Sequence, residues 1–307
     1  MTRTLVHTYS IVARDPRTGE LGVAVQSHYF SVGPVVPWAE AGVGAVATQS
    51  LVKIDYGPEG LALMRAGLSA PDALARLLAD DPEREVRQVA MVDAAGNVAA
   101  HTGTRCIPAA GHLTADGVSV QANMMVDDRV WPAMLEAFEA RDALLPERLV
   151  AALEAAQAVG GDIRGQQSAA LLVVGAERAE AAWRGRLIDL RVEEHPHPVE
   201  ELGRLLRFHR AYQYASQADD EMALGEWEAA RASFARAVEN APDEVELRFW
   251  AAHAMLMAGR EEEAMPRFAE VFAAEAHWAD LVPRLIPAGL LPDDDALVAR
   301  IQAQAEQ

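Results

Sequence analysis

The hydrophobic pattern of this 307-residue chain changes at one point, and that change constrains the fold more than any other feature. Up to about residue 192, short apolar runs rich in β-branched residues are mixed with helix-like segments. Beyond it, apolar residues recur at three- and four-residue steps. The segment 194–199 (EHPHPV) separates the two patterns, and its two prolines interrupt both. The pattern therefore predicts two domains, residues 1–195 and residues 200–307.

The first domain is predicted to combine antiparallel sheets with outer helices. Residues 10–14 and 21–27 flank a linker that contains Pro16 and Gly19, which is typical of a β-hairpin. The other strand-like runs are 43–49, 86–92, 98–102, 118–124, 169–174 and 187–192, and helical period is present at 57–66, 70–79, 130–140 and 145–159. Because the strands arrive mostly as hairpins around two helical blocks, we expect an α+β fold rather than an alternating βαβ fold.

The second domain carries a repeat. A residue of the same type stands 34 positions after each of Gly225, Ala230 and Phe234, which is the period of the tetratricopeptide repeat. In such a repeat the glycine ends the first helix, the alanine lets the second helix approach closely, and the phenylalanine fills the space between them. An unrelated stack of helical hairpins is the alternative interpretation.

The charge balance argues against two classes of partner. Lys and Arg together number 27 against 46 Asp and Glu, which gives a formal net charge of −19. A nucleic-acid or anionic-membrane surface needs clustered cations, so we expect neither partner. Residues 1–8 lack the apolar stretch of a signal peptide, and no run of about 18 apolar residues could span a bilayer. We therefore expect a cytoplasmic protein.

Three motifs are weak evidence for cofactor, metal or cysteine chemistry. Residues 42–47 fit the G-x-G-x-x-G/A spacing of dinucleotide-binding loops, but their apolar residues indicate a strand. His195 and His197 are interpreted as linker histidines rather than metal ligands, since the nearest carboxylates are only their two preceding neighbours. Cys106 is the only cysteine, and a buried, inert thiol is favoured over a Cys–His hydrolase that would use His101. We expect no metal and no organic cofactor.

Polar side chains in or beside apolar strands are the candidates for chemistry. A buried polar side chain needs a hydrogen-bond partner, and strand ends can gather such groups on a rigid scaffold. For each residue, an edge or turn position satisfied by backbone is the alternative. The candidates are Thr8, His28, Gln49, His101, Asn123, Asp162 and Arg164.

At these residues the sequence resembles a known family. The segments TYSIVARD, GELGVAVQS, GVGAVATQS, AHTGTRC, QANM and GGDIRGQQSAA, in collinear order over roughly residues 8–192, look like the domain-of-unknown-function family 1028. That family is placed with the N-terminal-nucleophile hydrolases. The resemblance implies a four-layer αββα sandwich, and a C-terminal module of the kind that some members carry.

The resemblance also implies a mechanism and a nucleophile. In the superfamily, the first residue of the processed chain attacks an amide carbonyl, and its own α-amino group takes the side-chain proton. Thr8 matches the nucleophile position, and Asn123 is our choice for oxyanion donor or substrate contact. His28 is a further candidate catalytic partner, and the candidate substrate-binding residues are Gln49, His101, Asp162 and Arg164. A structural pairing of Asp162 with Arg164 is the alternative for those two.

The chain departs from this arrangement because Met1–His7 precede Thr8. Thr8 gains a free amine only if the His7–Thr8 bond is cleaved. Thr2 is a weaker second candidate, since methionine removal would expose it but it lies off the strand.

Two functions follow from these observations. The first is an amide-bond hydrolase of the N-terminal-nucleophile type, acting on a small-molecule or peptide amide. The alternative is a non-catalytic assembly protein whose helical repeats bind a protein partner. We expect a homo-oligomer in either case.

Overall fold

The computed structural model describes residues 5–306, with side chains from Val6 onward, and these residues divide into two compact units. The first unit ends at Leu206 and the second begins at Arg207. The first is a mixed α/β domain that contains every strand described. Its strands are β1 Leu5–Val6, β2 Thr8–Arg14, β3 Leu21–Ser27, β4 Pro37–Glu40, β5 Gly44–Leu51, β6 Arg87–Asp93, β7 Val98–Thr102, β8 Gly111–Ala115, β9 Val118–Ala122, β10 Ser168–Val174 and β11 Arg186–Val192.

The strands form two sheets in which all pairs of described strands are antiparallel. In sheet A the order is β1-β5-β6-β7, and β4 also pairs with β5. In sheet B the order is β11-β10-β3-β2-β9-β8. The hairpin predicted around Pro16 and Gly19 is β2–β3, in register from Thr8 opposite Ser27 to Arg14 opposite Leu21.

Alternation along each strand sends successive side chains to opposite faces of its sheet. Val12 and Val23 of sheet B share a buried core with Ala45 and Ala90 of sheet A, so the two sheets pack face to face. The outer face of sheet B packs on α3 and α4, and the outer face of sheet A packs on α1 and α2. These helices are α1 Tyr56–Arg65, α2 Ala70–Ala79, α3 Val130–Ala140 and α4 Leu145–Ala158.

The space between the sheets is apolar at one end and polar at the other. On the inward face of β2, Val12 lies in the apolar core, whereas Ser10 and Thr8 are buried among other polar side chains. The same change occurs on β6, from Val92 to Gln88. The polar end is the candidate functional site.

The second unit is a helical repeat region. Its helices are the later part of α5 Pro198–Ala223, then α6 Trp227–Asn240, α7 Val245–Met257, α8 Glu261–Ala274 and α9 Asp295–Gln302, with single-turn helices Ala276–Asp280, Val282–Leu285 and Ala303–Glu306. Gly225 and Gly259 follow α5 and α7 with φ of 75° and 80°, a conformation that favours glycine. Phe234 and Phe268 are buried, as their repeat positions predict.

The division between the units falls inside α5 rather than at the proline pair. Pro198 is the first residue of this helix, a position that tolerates proline because its missing N–H would have no helical partner. Val199, Leu202 and Leu206 of the same helix pack into the core of the first unit. The prolines therefore start a helix that still belongs to the first core.

Three strands, β1, β4 and β8, have no counterpart in the sequence-based assignment. β1 spans only two residues, and β4 begins with a proline. β8 has no buried residue and contains Gly111, so its apolar pattern is weak. Among the described residues, no helix is long and apolar enough to cross a membrane.

Candidate functional site

Thr8 begins β2 on the face that looks into the space between the sheets. Its side chain is fully buried, and its hydroxyl Oγ1 lies 3.0 Å from both Val6 O and Ser27 Oγ. A hydroxyl has one proton to donate, so these two oxygens are alternative acceptors. Ser27 stands opposite Thr8 in the β2–β3 register.

The carbonyl of the peptide bond before Thr8 is held by two strong donors. Ser27 Oγ–H donates to His7 O at 2.6 Å, and Arg164 Nη2–H donates to the same oxygen at 2.7 Å. The bond from the Arg164 guanidinium is charge-assisted, and such bonds are stronger than neutral ones. Two donors on one carbonyl oxygen form the arrangement that stabilises negative charge if that carbonyl is attacked.

Asp162 fixes the Arg164 guanidinium. The carboxylate of Asp162 is buried and accepts from Arg164 Nη2 at 2.7 Å, Nε at 3.1 Å and backbone N at 2.9 Å. The loop is anchored further by the backbone N–H of His28, which donates to Asp162 Oδ2 at 3.3 Å. Asp162 and Arg164 therefore pair with each other, and the pair also reaches the His7 carbonyl.

Two side-chain amides, those of Gln49 and Asn123, lie beside the backbone of Thr8, and the amide of Gln88 links them. Gln49 Nε2 donates to Thr8 O at 3.2 Å, and the backbone N–H of Asn123 donates to the same oxygen at 3.1 Å. Gln88 Oε1 accepts from Gln49 Nε2 at 2.7 Å and from Asn123 Nδ2 at 2.9 Å. Gln88 Nε2 in turn donates to Ala122 O at 2.8 Å. This satisfied network ties both sheets to the first residues of β2.

The imidazole of His7 lies in the same cluster. Its Nδ1 is 2.7 Å from Asn123 Oδ1, so Nδ1 carries the proton when the ring is neutral. Its Nε2 is buried and has no hydrogen-bond partner among the described residues. Burial lowers the pKa of His7; the bond to Asn123 opposes this effect, and the positive charge of Arg164 adds to it. The ring is therefore neutral at pH 7.

Two left-handed residues adjoin the site. Ser50 has a φ of 73° and directly follows Gln49, and Met124 has a φ of 62° and directly follows Asn123. Non-glycine residues in this region carry backbone strain that the surrounding structure must hold in place. The strain at these positions fixes the direction of the chain just after two side chains that contact Thr8.

Five of the seven candidate residues meet at this point, and two do not. Those that meet are Thr8, Gln49, Asn123, Asp162 and Arg164. The side chain of His28 is exposed, and only its backbone N–H reaches the cluster. His101 lies on β7, where its Nε2 is 2.8 Å from Arg84 O, and it makes no described contact with Thr8. Both histidines stand at strand ends, but neither strand turns that side chain toward the inner face.

Three residues of the cluster were not singled out as site residues from the sequence: His7, Ser27 and Gln88. Gln88 offered a usable signal, since it is a polar residue directly before the apolar run 89–92 of its strand. His7 precedes the predicted strand and offered none.

Other candidate chemistries gain no support from the geometry. Within residues 5–306, no group of three or more His, Cys, Asp or Glu side chains is placed to hold a metal ion. The thiol of Cys106 is buried and donates to Arg87 O at 3.3 Å, and burial raises its pKa. Residues 44–47 of the glycine-containing segment 42–47 lie in strand β5, as expected from their apolar character.

Comparison with known proteins gives two family matches. The sequence model of the family of unknown function DUF1028 matches residues 8–202, and a tetratricopeptide-repeat model matches residues 221–282. The crystal structure of a DUF1028 protein from Silicibacter pomeroyi is 34% identical to this chain and aligns over 66% of it and 88% of that protein, with a TM-score of 0.59. Anbu, an ancestral β-subunit from Yersinia bercovieri, aligns over 64% of this chain and 91% of its own at 10% identity, with a TM-score of 0.34. No curated protein matches the chain.

Proposed function

The chain belongs to the DUF1028 family, and from this premise we propose that its first unit is an amide-bond hydrolase of the N-terminal-nucleophile type. In this proposal the facing sheets and their outer helices are the four-layer αββα sandwich of that superfamily. One observation carries the proposal. The Thr8 hydroxyl lies 3.0 Å from Ser27 Oγ, and the carbonyl that precedes Thr8 accepts from the same serine and from Arg164.

The first step of the proposed mechanism exposes the nucleophile. Thr8 Oγ attacks the carbonyl carbon of His7, and Ser27 and Arg164 stabilise the negative charge that develops on His7 O. The carbon–nitrogen bond then breaks, and the hydroxyl proton ends on the departing nitrogen of Thr8. The product is an ester between His7 and Thr8 Oγ. Water hydrolyses this ester, which releases residues 1–7 and leaves Thr8 with a free α-amine.

The second step uses the free amine on a substrate. An N-terminal amine has an unperturbed pKa of about 8, so its neutral form can take the proton from Thr8 Oγ near neutral pH. The oxygen attacks the substrate amide carbon and forms an acyl ester, while the leaving amine takes up the proton. Ser27 and Arg164, which no longer bind His7 O, are available for the new oxyanion. Water then cleaves the ester, yields a carboxylic acid and restores the hydroxyl.

Burial supports the need for processing. In the uncleaved chain Thr8 is covered, and β1 pairs with β5 through Leu5 opposite Leu51 and Val6 opposite Ser50. Val6 is itself fully buried between the sheets. Release of this segment would uncover the Thr8 hydroxyl, and no substrate reaches it before that.

Intact-mass measurement of the purified full chain tests the proposal. We expect a species that begins at Thr8, whose N-terminal amino alcohol mild periodate oxidises. The Thr8→Ala variant should remain uncleaved between residues 7 and 8, whereas Thr8→Ser should still be cleaved there. Thr2→Ala is the matched control and should be cleaved like the wild type.

Two outcomes would contradict the proposal. One is a Thr8→Ala chain that is cleaved at the same bond and the same rate, because cleavage would then not use Thr8. The other is an uncleaved wild-type chain that hydrolyses amides. The substrate class, a small-molecule or peptide amide, stays a prediction, as do a homo-oligomeric state and a cytoplasmic location.

A second candidate function concerns the helical repeats, and it is independent of the first. The tetratricopeptide-repeat match over residues 221–282 favours an interaction role for the second unit. In this role the unit binds a protein partner, whether or not Thr8 is catalytic.

A further inference from the structure

The helical unit contains a cavity of about 670 Å³, which lies in the range typical of ligand sites. Four aromatic and two acidic side chains are among the residues that line it. We call it the aromatic cavity, and it is defined by Tyr212, Trp227, Phe234 and Trp250 together with Asp219 and Glu246. No lysine or arginine is among the described residues that line it.

The two carboxylates of the aromatic cavity have no cationic partner. The side chain of Asp219 makes no hydrogen bond or ion pair with any described residue, and the carboxylate of Glu246 accepts only the hydroxyl of Tyr212, at 3.2 Å. Residues 207–307 carry 19 acidic and 9 basic side chains, so the whole unit adds to this negative potential. A negative cavity in a negative unit favours a cationic occupant.

The ionisation of two lining groups agrees with this potential. Burial raises the pKa of Asp219, and the neighbouring carboxylates of Asp220 and Glu246 raise it further. Burial, together with Glu244 and Glu246, raises the pKa of Tyr212 to about 12. Both shifts have the sign that uncompensated negative charge produces.

The rings of Trp227 and Trp250 pack on buried neighbours and stay partly accessible, whereas Phe234 is buried. Trp250 packs edge-to-face against Phe249 and His253, with ring centroids 5.2 Å and 5.5 Å apart, and Trp227 packs against the same histidine at 6.3 Å. Tyr212 is 40% exposed at the opening. Rings fixed in this way can accept a cation over their faces without a further loss of side-chain freedom.

We propose that the aromatic cavity binds an arginine or lysine side chain presented by a peptide segment of a partner protein. The cation would lie among the ring faces and pair with Asp219 and Glu246. The cavity is larger than a single side chain requires, and Phe234 and Leu247 give it apolar wall for the flanking residues. This inference rests on the interaction role proposed for the repeats and names the chemistry of the partner.

Titration of the full-length chain with two blocked nonapeptides tests the inference. Both are built of alanine and glycine; one carries a central arginine and the other carries citrulline, which has the same shape without the charge. Binding is followed by isothermal calorimetry at low salt. We expect the arginine peptide to bind about tenfold more tightly than the citrulline peptide, because cation–π and carboxylate contacts are lost with the charge.

Variants with matched charge changes test whether the aromatic cavity is the site that binds the arginine peptide. Asp219→Asn combined with Glu246→Gln should reduce the affinity for the arginine peptide to that for citrulline. Glu262→Gln combined with Asp280→Asn removes two exposed acidic charges of the same unit and should leave the affinity unchanged. Tyr212→Leu keeps an apolar side chain at the opening, and it should weaken arginine binding without changing citrulline binding. Circular dichroism confirms that each variant is folded.

The outcomes separate the inference from the interaction role. Equal affinity for both peptides would overturn the cationic chemistry and leave a peptide-binding unit. Binding of the arginine peptide that survives the Asp219 and Glu246 changes would overturn the site. If neither peptide binds, the inference fails, whereas the interaction role of the repeats does not, because that role specifies no chemistry for the partner. If spermidine bound as tightly as the arginine peptide, the cavity would be a site for a small cation and not for a peptide side chain.

Discussion

At the scale of single residues, Arg164 is the group on which the proposed chemistry most depends. It donates to His7 O at 2.7 Å and is held by the buried carboxylate of Asp162. Replacement by glutamine removes the positive charge and the planar set of guanidinium N–H donors that Asp162 holds in place. We expect Arg164→Gln to slow cleavage of the His7–Thr8 bond by roughly 10²–10³-fold, the effect typical of losing one oxyanion donor. Intact mass measured against time after synthesis gives the rate.

The chain offers a closely matched control for this change. Arg129 also pairs with an aspartate two residues earlier, Asp127, at 2.7 Å, but both are exposed and neither contacts Thr8. Arg129→Gln should therefore leave the cleavage rate unchanged. Equal slowing in the two variants would remove Arg164 from the mechanism.

Replacement of Gln88 would measure how much the buried polar network between the sheets contributes to the free energy of unfolding. Its side chain bonds to Gln49, Asn123, Thr102 and the Ala122 carbonyl. In Gln88→Leu these buried groups lose a partner, so we expect the free energy of unfolding to fall by about 2–3 kcal/mol. Urea denaturation measures the change.

Gln217→Leu is the comparison for Gln88, because Gln217 is exposed and bonds only to Glu221 among the described residues. We expect a change of less than about 0.5 kcal/mol in its free energy of unfolding. If Gln88→Leu lowered the free energy of unfolding no more than Gln217→Leu does, the buried network would not be needed for stability.

At the scale of elements, helix α7 carries a pH-sensitive group. His253 is fully buried; its Nε2 donates to Leu290 O at 2.6 Å, and its Nδ1 has no partner among the described residues. Burial lowers the pKa of His253, although the bond to Leu290 partly opposes this. Below a pH of about 6.5 the unfolded chain takes up a proton before the folded chain does, so stability falls as the pH drops.

His253→Gln tests this element-scale prediction, because glutamine keeps a donor for Leu290 and cannot titrate. We expect the variant to lose less stability than the wild type between pH 7 and pH 5. His277→Gln is the control, since that ring is largely exposed, and its pH dependence should match the wild type. Unfolding midpoints measured at both pH values compare the three chains. If the unfolding midpoint of His253→Gln fell between pH 7 and pH 5 by as much as that of the wild type, groups other than His253 would cause the pH dependence of stability.

At the scale of the whole molecule, the stability of the first unit is expected to depend on the start of helix α5. A chain ending at residue 210 keeps Val199, Leu202 and Leu206, which are buried in the first core, whereas a chain ending at residue 195 loses all three. Each buried side chain of this size contributes about 1.5–3 kcal/mol, so the shorter chain should be markedly less stable. Thermal unfolding of the two fragments measures this difference.

The same fragments separate the two proposed functions. The chain ending at residue 210 should cleave its His7–Thr8 bond at the rate of the full chain, because every described contact of Thr8 lies within it. It should not bind the arginine peptide. Loss of cleavage in a folded fragment of this length would show that the repeats are required for the chemistry.

The sequence by itself determined the elements and the family of this protein. Eight of the eleven described strands of the first unit, its helices α1 to α4, the hairpin order and the repeat period follow from local patterns, whereas β1, β4 and β8 do not. The family followed from the resemblance of six collinear segments. Burial repeats every second residue in a strand and every third or fourth in a helix, and short segments carry that signal. Local patterns also predicted that Thr8, Gln49, Asn123, Asp162 and Arg164 belong to one site.

Only the tertiary structure decided which groups meet. His7 O is held by a serine of the next strand and an arginine 157 positions away in sequence. Gln88 reaches the site from the other sheet, while the side chains of His28 and His101 do not reach it. These contacts depend on how two sheets face each other and where each strand ends relative to its neighbours. That geometry is set by packing between distant segments, and no periodicity along the chain encodes it.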